Sequence, residues 1–513
     1  MNSALFSPTE TRAGRDRFAV LAVAYLLLPN LVFLLTWVRP VIGLPLAAVV
    51  MAAFLVFWRQ SGPVAPRPKL SAGTWWFVLA LAFVWTLLAG IGGFVFQASD
   101  YEKHNLAFHD LLTQSWPVTY AGSGESFYLC YGSGYYLVPV WLARAVGANC
   151  LPAATFVWGC AGVALFFYWV ATFSRSPKKT LVIVLLFAAT ETLWHLYLHL
   201  LHGPRFAEAG KAIIAHFERL GTSSDYSDSF SALQFRPQHV LPAWLGTALF
   251  YDQFWVRRSP RGAGLAWAAC WLWSPLVCLG LLLVPLAAIK RWRWRDALEP
   301  VNFGGVILLA AVAVYFQGHV PLTEQGPIWK FAAGNNWLWM YPWFLLLELS
   351  PMFLLFLADR KQDLLGELRP LFWASLAVLV LLPLYKIGYY GDLRLQAQTP
   401  ALLICGLAAS RCFQSAGFAL KRPLCALLAA SQLLGAVYPF GRWWQDACRA
   451  RPDYSYAATK QLWGYRNLSD FKRFGYDYAS QYLGRTNSMA ARWLLRPEAA
   501  VGERPTNERL REP

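Results

Sequence analysis

Residues 18–38 read FAVLAVAYLLLPNLVFLLTWV, without one charged side chain. A helix rises about 1.5 Å per residue, so a run of this length crosses the ~30 Å hydrocarbon core of a bilayer. Arg12, Arg15 and Arg17 precede it. The run is too long for the core of a cleaved leader and lacks a small-residue cleavage site, so it predicts an uncleaved first span starting in the cytoplasm. The whole chain agrees: 57% of residues are hydrophobic and 14% charged, against about 45–50% and about 25% in soluble proteins. That excludes a soluble enzyme, a disordered chain and a secreted disulfide scaffold. Aromatic residues make up 16%, including 26 Trp, which suits the interfacial belts of a membrane protein. The expected fold class is an all-α polytopic membrane protein.

Working outward, further apolar runs occupy 41–58, 74–97, 151–173, 180–200, 238–256, 301–318, 338–358, 370–388, 399–414 and 423–440. The run 264–289 is interrupted by Ser274-Pro275. Two short helices meeting there return the chain to the side it came from, giving about 13 spans. The apolar segment 134–147 is short and carries Arg144, and is placed at the outer interface or re-entrant. The net charge of +17 gathers in short clusters between runs, among them Lys178-Lys179, Arg257-Arg258, Lys290-Arg291 and Arg360-Lys361. Such clusters mark cytoplasmic loops and no basic soluble fold, so nucleic acid is not an expected partner. The longer polar loops then fall outside: 98–133, 201–237, 319–337, 389–398 and a tail from 441. The chain divides into a membrane domain, 1–440, and an outer tail, 441–513, expected to cover the outer loops and to end in disorder.

All eight His lie in those outer loops or at the outer ends of their spans, so chemistry is expected on the outer face. Asp100-Tyr101-Glu102-Lys103-His104 opens the first loop, with Tyr101, Phe108, Leu111 and Leu112 at helical spacing. This predicts an amphipathic helix lying along the membrane surface. A carboxylate at that edge can act as a general base, while Ser99 with Glu102 is also a helix-capping box. Glu191, His195, His199 and His202 share a helix end; metal ligation and a wet histidine-lined cavity both fit. Arg236-Pro-Gln-His239 opens a span, where positive charge and free amides attract an anion such as phosphate, or where Arg236 reaches for lipid headgroups. Lys386, Asp392 and Arg394 sit in a tight outer loop, as an anion site or a structural Asp–Arg pair.

The spacing Asp100-x-Glu102 after an early span resembles the signature of the GT-C glycosyltransferases, polytopic enzymes that take sugars from polyprenyl-phosphate carriers. The run from Asp100 to Asn105 followed by Trp116-Pro117-Val118-Thr119-Tyr120 is similar to a subset of bacterial members. So are Gln238-His239 with Trp244, and Tyr390-Gly391-Asp392-Leu-Arg394 with Pro400. A weaker architectural likeness points to pilin-modifying arabinosyltransferases. The resemblance implies an enzyme of the bacterial inner membrane with its active site facing the periplasm. It implies Asp100 as base or acceptor orienter, with a lesser role for Glu102, and a glycan, lipid or protein acceptor. Position 99 is Ser where a second Asp would offer another carboxylate. No cofactor is called for; family members differ over metal, so a divalent cation stays open. A polyprenyl-phosphate leaving group needs cations more than an acid, and Arg236, His239, Lys386 and Arg394 are the candidates, with His104 and Asp392 beside them. An O-antigen-type ligase or polymerase shares this outer-face chemistry. A lipid or sugar transporter is the third reading, though it would show repeats and a midplane site.

Overall fold

The computed structural model describes residues 16–62, 70–121, 126–174, 176–188, 229–321, 324–331, 337–388, 391–415, 461, 465–470, 472–473, 476–477 and 479–497. The expected span 423–440, the end of 180–200 and the Glu191–His202 group lie outside them. The described chain is mostly helical. Five of its helices are long and apolar enough to cross a membrane: Arg17–Thr36, Pro40–Gln60, Ala148–Ser174, Pro300–Gln317 and Gly366–Leu384. Two shorter apolar helices cover Ala72–Leu88 and Pro275–Ala287.

In chain order α1 is Arg17–Thr36, α2 Pro40–Gln60, α3 Ala72–Leu88, α4 Tyr101–Thr113, α5 Gly134–Val146, α6 Leu151–Ser174 and α7 Pro177–Ala188. Then follow α8 Ser229–Phe235, α9 Pro237–Phe250, α10 Ala263–Trp271, α11 Pro275–Leu281, α12 Leu283–Ala287 and α13 Pro300–Gln317. The last described helices are α14 Trp337–Glu348, α15 Ser350–Gln362, α16 Arg369–Leu381, α17 Asp392–Ala397 and α18 Thr399–Ser415. The strands are β1 Thr119–Ala121, β2 Ser126–Leu129, β3 Gln325–Pro327, β4 Tyr385–Ile387, β5 Lys472–Arg473, β6 Tyr476–Asp477 and β7 Leu483–Arg485.

Three expected runs are cut differently from their hydropathy. The run 338–358 is broken at Leu349, because Pro351 has no N–H to continue the ladder and opens α15 instead. The run 370–388 leaves the helix at Leu381, and Tyr385–Ile387 becomes a strand paired with Gln325–Pro327. The run 74–97 stops at Leu88, where the chain turns through Gly90 at φ +77°. At Ser274-Pro275 the split is present. Ser274 caps α11 through Val277 N, and the Trp267 indole N–H donates to the Cys278 carbonyl at 2.8 Å. Residues eleven apart on one straight helix stand far beyond hydrogen-bond reach, so α10 and α11 fold back as a hairpin.

Contacts between distant segments sort into two ends. At one, Arg257 pairs with Asp16 and donates to Gly62 O at 3.1 Å. Arg261 there meets Glu299 at 3.2 Å and Arg291 meets Glu367 at 2.9 Å. These are the basic loops expected together. At the other end, β7 of the tail adds to the β1–β2 hairpin of the first polar loop, in the order β1-β2-β7. Val320 N also donates to Leu483 O, and Arg39 N to Leu494 O, both at 2.9 Å. The described part of the tail therefore covers the first polar loop, the end of α13 and the α1–α2 turn. Between the ends, Tyr25, Trp158 and Trp273 stack at 4.1–6.0 Å. Outward faces carry exposed Trp76, Val157 and Val306, an apolar surface suited to lipid.

A Cβ on Gly484 would meet the Tyr128 ring and Cys130 Cβ. Gly484→Val is expected to cost about 1–3 kcal/mol by overpacking, read as a lower melting temperature of the detergent-solubilised protein. An unchanged melting temperature would mean that the β2–β7 pairing contributes little.

Candidate functional site

The Ala98–Asp100 turn sets the start of α4: Tyr101 N donates to Ala98 O at 2.9 Å and Glu102 N to Ser99 O at 3.2 Å. Asp100, and not Ser99, stands at the N-cap, and its side chain makes no capping bond. The Ser99–Glu102 box is thus one residue out of register. Asp100 is held instead by Lys103, whose Nζ lies 2.7 Å from Oδ2, both side chains 15% exposed. Glu102 sits half-buried in the first turn, where a carboxylate suits the helix dipole.

The helix is built into the protein, a correction to the expected surface helix. Phe108 packs edge-on against Tyr135 and Tyr136 of α5 at 5.8 and 5.0 Å, and both His104 and Asp110 are fully buried. The Phe235 carbonyl 3.0 Å from His104 Nε2 can only accept, so that nitrogen carries the proton. Nδ1 then accepts from the Tyr136 hydroxyl at 2.7 Å. His104 is a neutral clamp joining α4, α5 and the end of α8, with both nitrogens engaged. Burial, then Lys103, pushes its pKa down to about 4. Asp110, to which no role was given from sequence, accepts from Tyr120 Oη at 2.9 Å and from Leu468 N of the tail at 2.8 Å.

Arg236 caps α9 ahead of Pro237, and its Nη1 donates to Leu395 O of α17 at 3.1 Å. Gln238 Nε2 donates to the Tyr131 hydroxyl at 3.0 Å, and His239 Nε2 lies 3.4 Å from the same oxygen. Gln238 Oε1 and His239 Nδ1 are buried without partners among the described residues. From β4, Lys386 reaches Glu324 Oε2 at 2.6 Å and lies 4.9 Å over the Phe331 ring.

Asp392 starts α17 after Gly391, which takes the left-handed conformation at φ +74°. A Cβ on Gly388, also left-handed, would run into the Asp392 carboxylate. The expected Asp392–Arg394 pair does not form. Arg394 is 2% exposed and lies over Phe344 at 5.7 Å, while the Asp392 carboxylate makes no direct ion pair or hydrogen bond among the described residues. Burial pushes its pKa up to about 6; Lys103, Arg236 and Lys386 pull it down and Asp100 adds to the rise.

Six of the eight residues singled out from sequence thus meet in one neighbourhood: Asp100, His104, Arg236, His239, Lys386 and Asp392. Glu102 flanks it, and Arg394 packs into the protein beside it. Lys103 and Tyr131 were missed. The three-residue spacing from Asp100 was the only signal for Lys103, and nothing local marked Tyr131. No group of three or more His, Cys, Asp or Glu that could hold a metal stands together among the described residues. A cavity of about 280 Å³ opens at the other end, lined by Gln60, Gln253, Arg257 and Arg293 among others.

No family model, curated protein or solved structure matches this chain.

His104 provides a pH test. Its folded pKa lies below the ordinary value near 6.5, so unfolding takes up a proton between about pH 6.5 and 4. The stability contributed is full above that window and declines as pH falls through it. His104→Ala should flatten this dependence and remove about 1–3 kcal/mol at neutral pH by orphaning two buried partners. Melting curves of both proteins from pH 4 to 8 check it.

Proposed function

We propose that the chain is an integral membrane glycosyltransferase that moves a sugar from a polyprenyl-phosphate donor to an acceptor at the outer face of the bacterial inner membrane. The observation that carries this reading is the convergence of Lys103, Arg236 and Lys386 around two carboxylates at one end of an apolar helical body. A lipid-linked donor keeps its phosphate at the headgroup level and its sugar in water, and a charged cluster at one end of an apolar helical body suits both. As the bond from sugar to phosphate breaks, negative charge grows on the phosphate oxygens. Cations fixed in a partly dry site stabilise that charge with little reorganisation. Arg236 offers a forked donor set for phosphate, held in place by Leu395 O. Asp100 acts through Lys103, fixing the ammonium at 2.7 Å. A transporter would place its polar groups midway along the helices, and this cluster lies at one end.

The reading includes about 13 spans and a tail outside. Reporter fusions should place Lys178, Arg258, Lys290 and Lys361 in the cytoplasm and Arg485 in the periplasm. A cytoplasmic Arg485 would put the site on the wrong face.

For the donor, Arg236→Ala should raise KM for a synthetic polyprenyl-phosphate sugar and slow its cleavage, at a cost of about 1.5–3 kcal/mol for a charged hydrogen bond. Lysine should restore only part, because it lacks the bidentate fork. Arg394→Ala should lower the melting temperature instead. Unchanged donor kinetics for Arg236→Ala would remove it from the phosphate site.

A further inference from the structure

We infer that Asp392, and not Asp100, is the carboxylate that takes the proton from the acceptor hydroxyl. The inference rests on the glycosyl-transfer reading and names the base within that same site. A general base needs a free lone pair within reach of the hydroxyl it deprotonates. Asp100 is engaged by Lys103 at 2.7 Å, so an acceptor must displace an ammonium to reach its Oδ2. The half-buried Asp392 carboxylate makes no direct hydrogen bond or ion pair among the described residues. It is placed by the backbone: Gly391 supplies the left-handed turn into α17, and Gly388 supplies the space that a Cβ would take.

The charges facing Asp392 come from each element around it. Lys103 and Asp100 belong to α4, Arg236 stands at the start of α9, and Lys386 extends from β4. Glu324 neutralises part of Lys386 at 2.6 Å. On its own helix Arg394 lies against Phe344. The same cations that hold a donor phosphate thus surround the base, and acceptor and donor meet between them. In the step, the acceptor oxygen forms a bond to the anomeric carbon while its proton passes to the Asp392 carboxylate. The bond from the anomeric carbon to the phosphate oxygen breaks, and its electron pair leaves with polyprenyl phosphate beside Arg236. The ionised form is the active one, so the rate rises as pH climbs through the pKa of about 6.

The test uses the full chain in nanodiscs with synthetic polyprenyl-phosphate arabinose and mannose, water serving as the acceptor hydroxyl. Release of polyprenyl phosphate is followed from pH 4.5 to 8.5. The wild type should show a rate rising through about pH 6. Asp392→Asn should lose about 10²–10⁴-fold in rate and lose that limb, while donor still raises its melting temperature as in the wild type. Asp392→Glu should keep the limb and recover part of the rate. Asp100→Asn should keep the limb and fall less far. Near-normal release by Asp392→Asn, or loss of the limb in Asp100→Asn alone, overturns the assignment and leaves the glycosyl-transfer reading standing. A wild type that neither binds nor cleaves either donor overturns both.

Discussion

Charge is costly inside a hydrocarbon layer, and the whole arrangement follows from where charge is allowed to go. Ionisable side chains collect at the two ends of the helical body, where partners and water are in reach. At one end, Arg257 with Asp16, Arg261 with Glu299 and Arg291 with Glu367 tie short basic loops together. At the other, carboxylates and cations crowd around Asp392. The region between is held by aromatic stacking and by side chains tied to backbone carbonyls, as Asn30 Nδ2 is by donating to both Leu26 O and Ala269 O at 2.9 Å. Splitting 263–281 into a hairpin belongs to the same logic. It keeps the cluster from Lys290 to Arg295 at the end where its acidic partners stand.

The site is a product of packing, since none of its segments carries it alone. The first polar loop contributes Asp100 and Lys103, the start of α9 contributes Arg236, β4 contributes Lys386, and α17 contributes Asp392. What brings them together is apolar burial beneath: Phe108 between the α5 tyrosines, Leu111 and Leu233 in the core. His104 then fixes the registry of three helices with two hydrogen bonds. Charged groups held so far from free water repel and attract strongly, and a carboxylate among three cations, without a partner among the described residues, is the natural outcome.

The apolar runs were legible because hydropathy is a local property, and α1, α2 and α13 lie within two or three residues of their expected limits. The gathering of the basic loops around Arg257, Arg261 and Arg291 at one end was legible because charge is also read locally. Pairings between distant segments were not. The strand at Tyr385–Ile387 exists because Gln325–Pro327 reaches it, and nothing within 385–387 announces that partner. Asp110 looked like one more polar residue on a surface helix until Tyr120 and Leu468 closed on it. The Ser99–Glu102 box failed because the helix starts one residue later, where Lys103 takes hold of Asp100. Cutting 338–358 at Pro351 was within reach of the sequence, since proline breaks the ladder wherever hydropathy is uniform.

The tail binds time as well as space. β7 is made long after β1 and β2, yet it completes the sheet they begin, and Tyr482 just before it lies edge-on to Tyr131 at 4.7 Å. Leu468 N fills one acceptor position of Asp110 beneath α4. During translation Lys103, Arg236, Lys386 and Asp392 are all made before the strand that covers the first polar loop. The order that β7 and Leu468 lend to the first polar loop therefore arrives only once the tail is made.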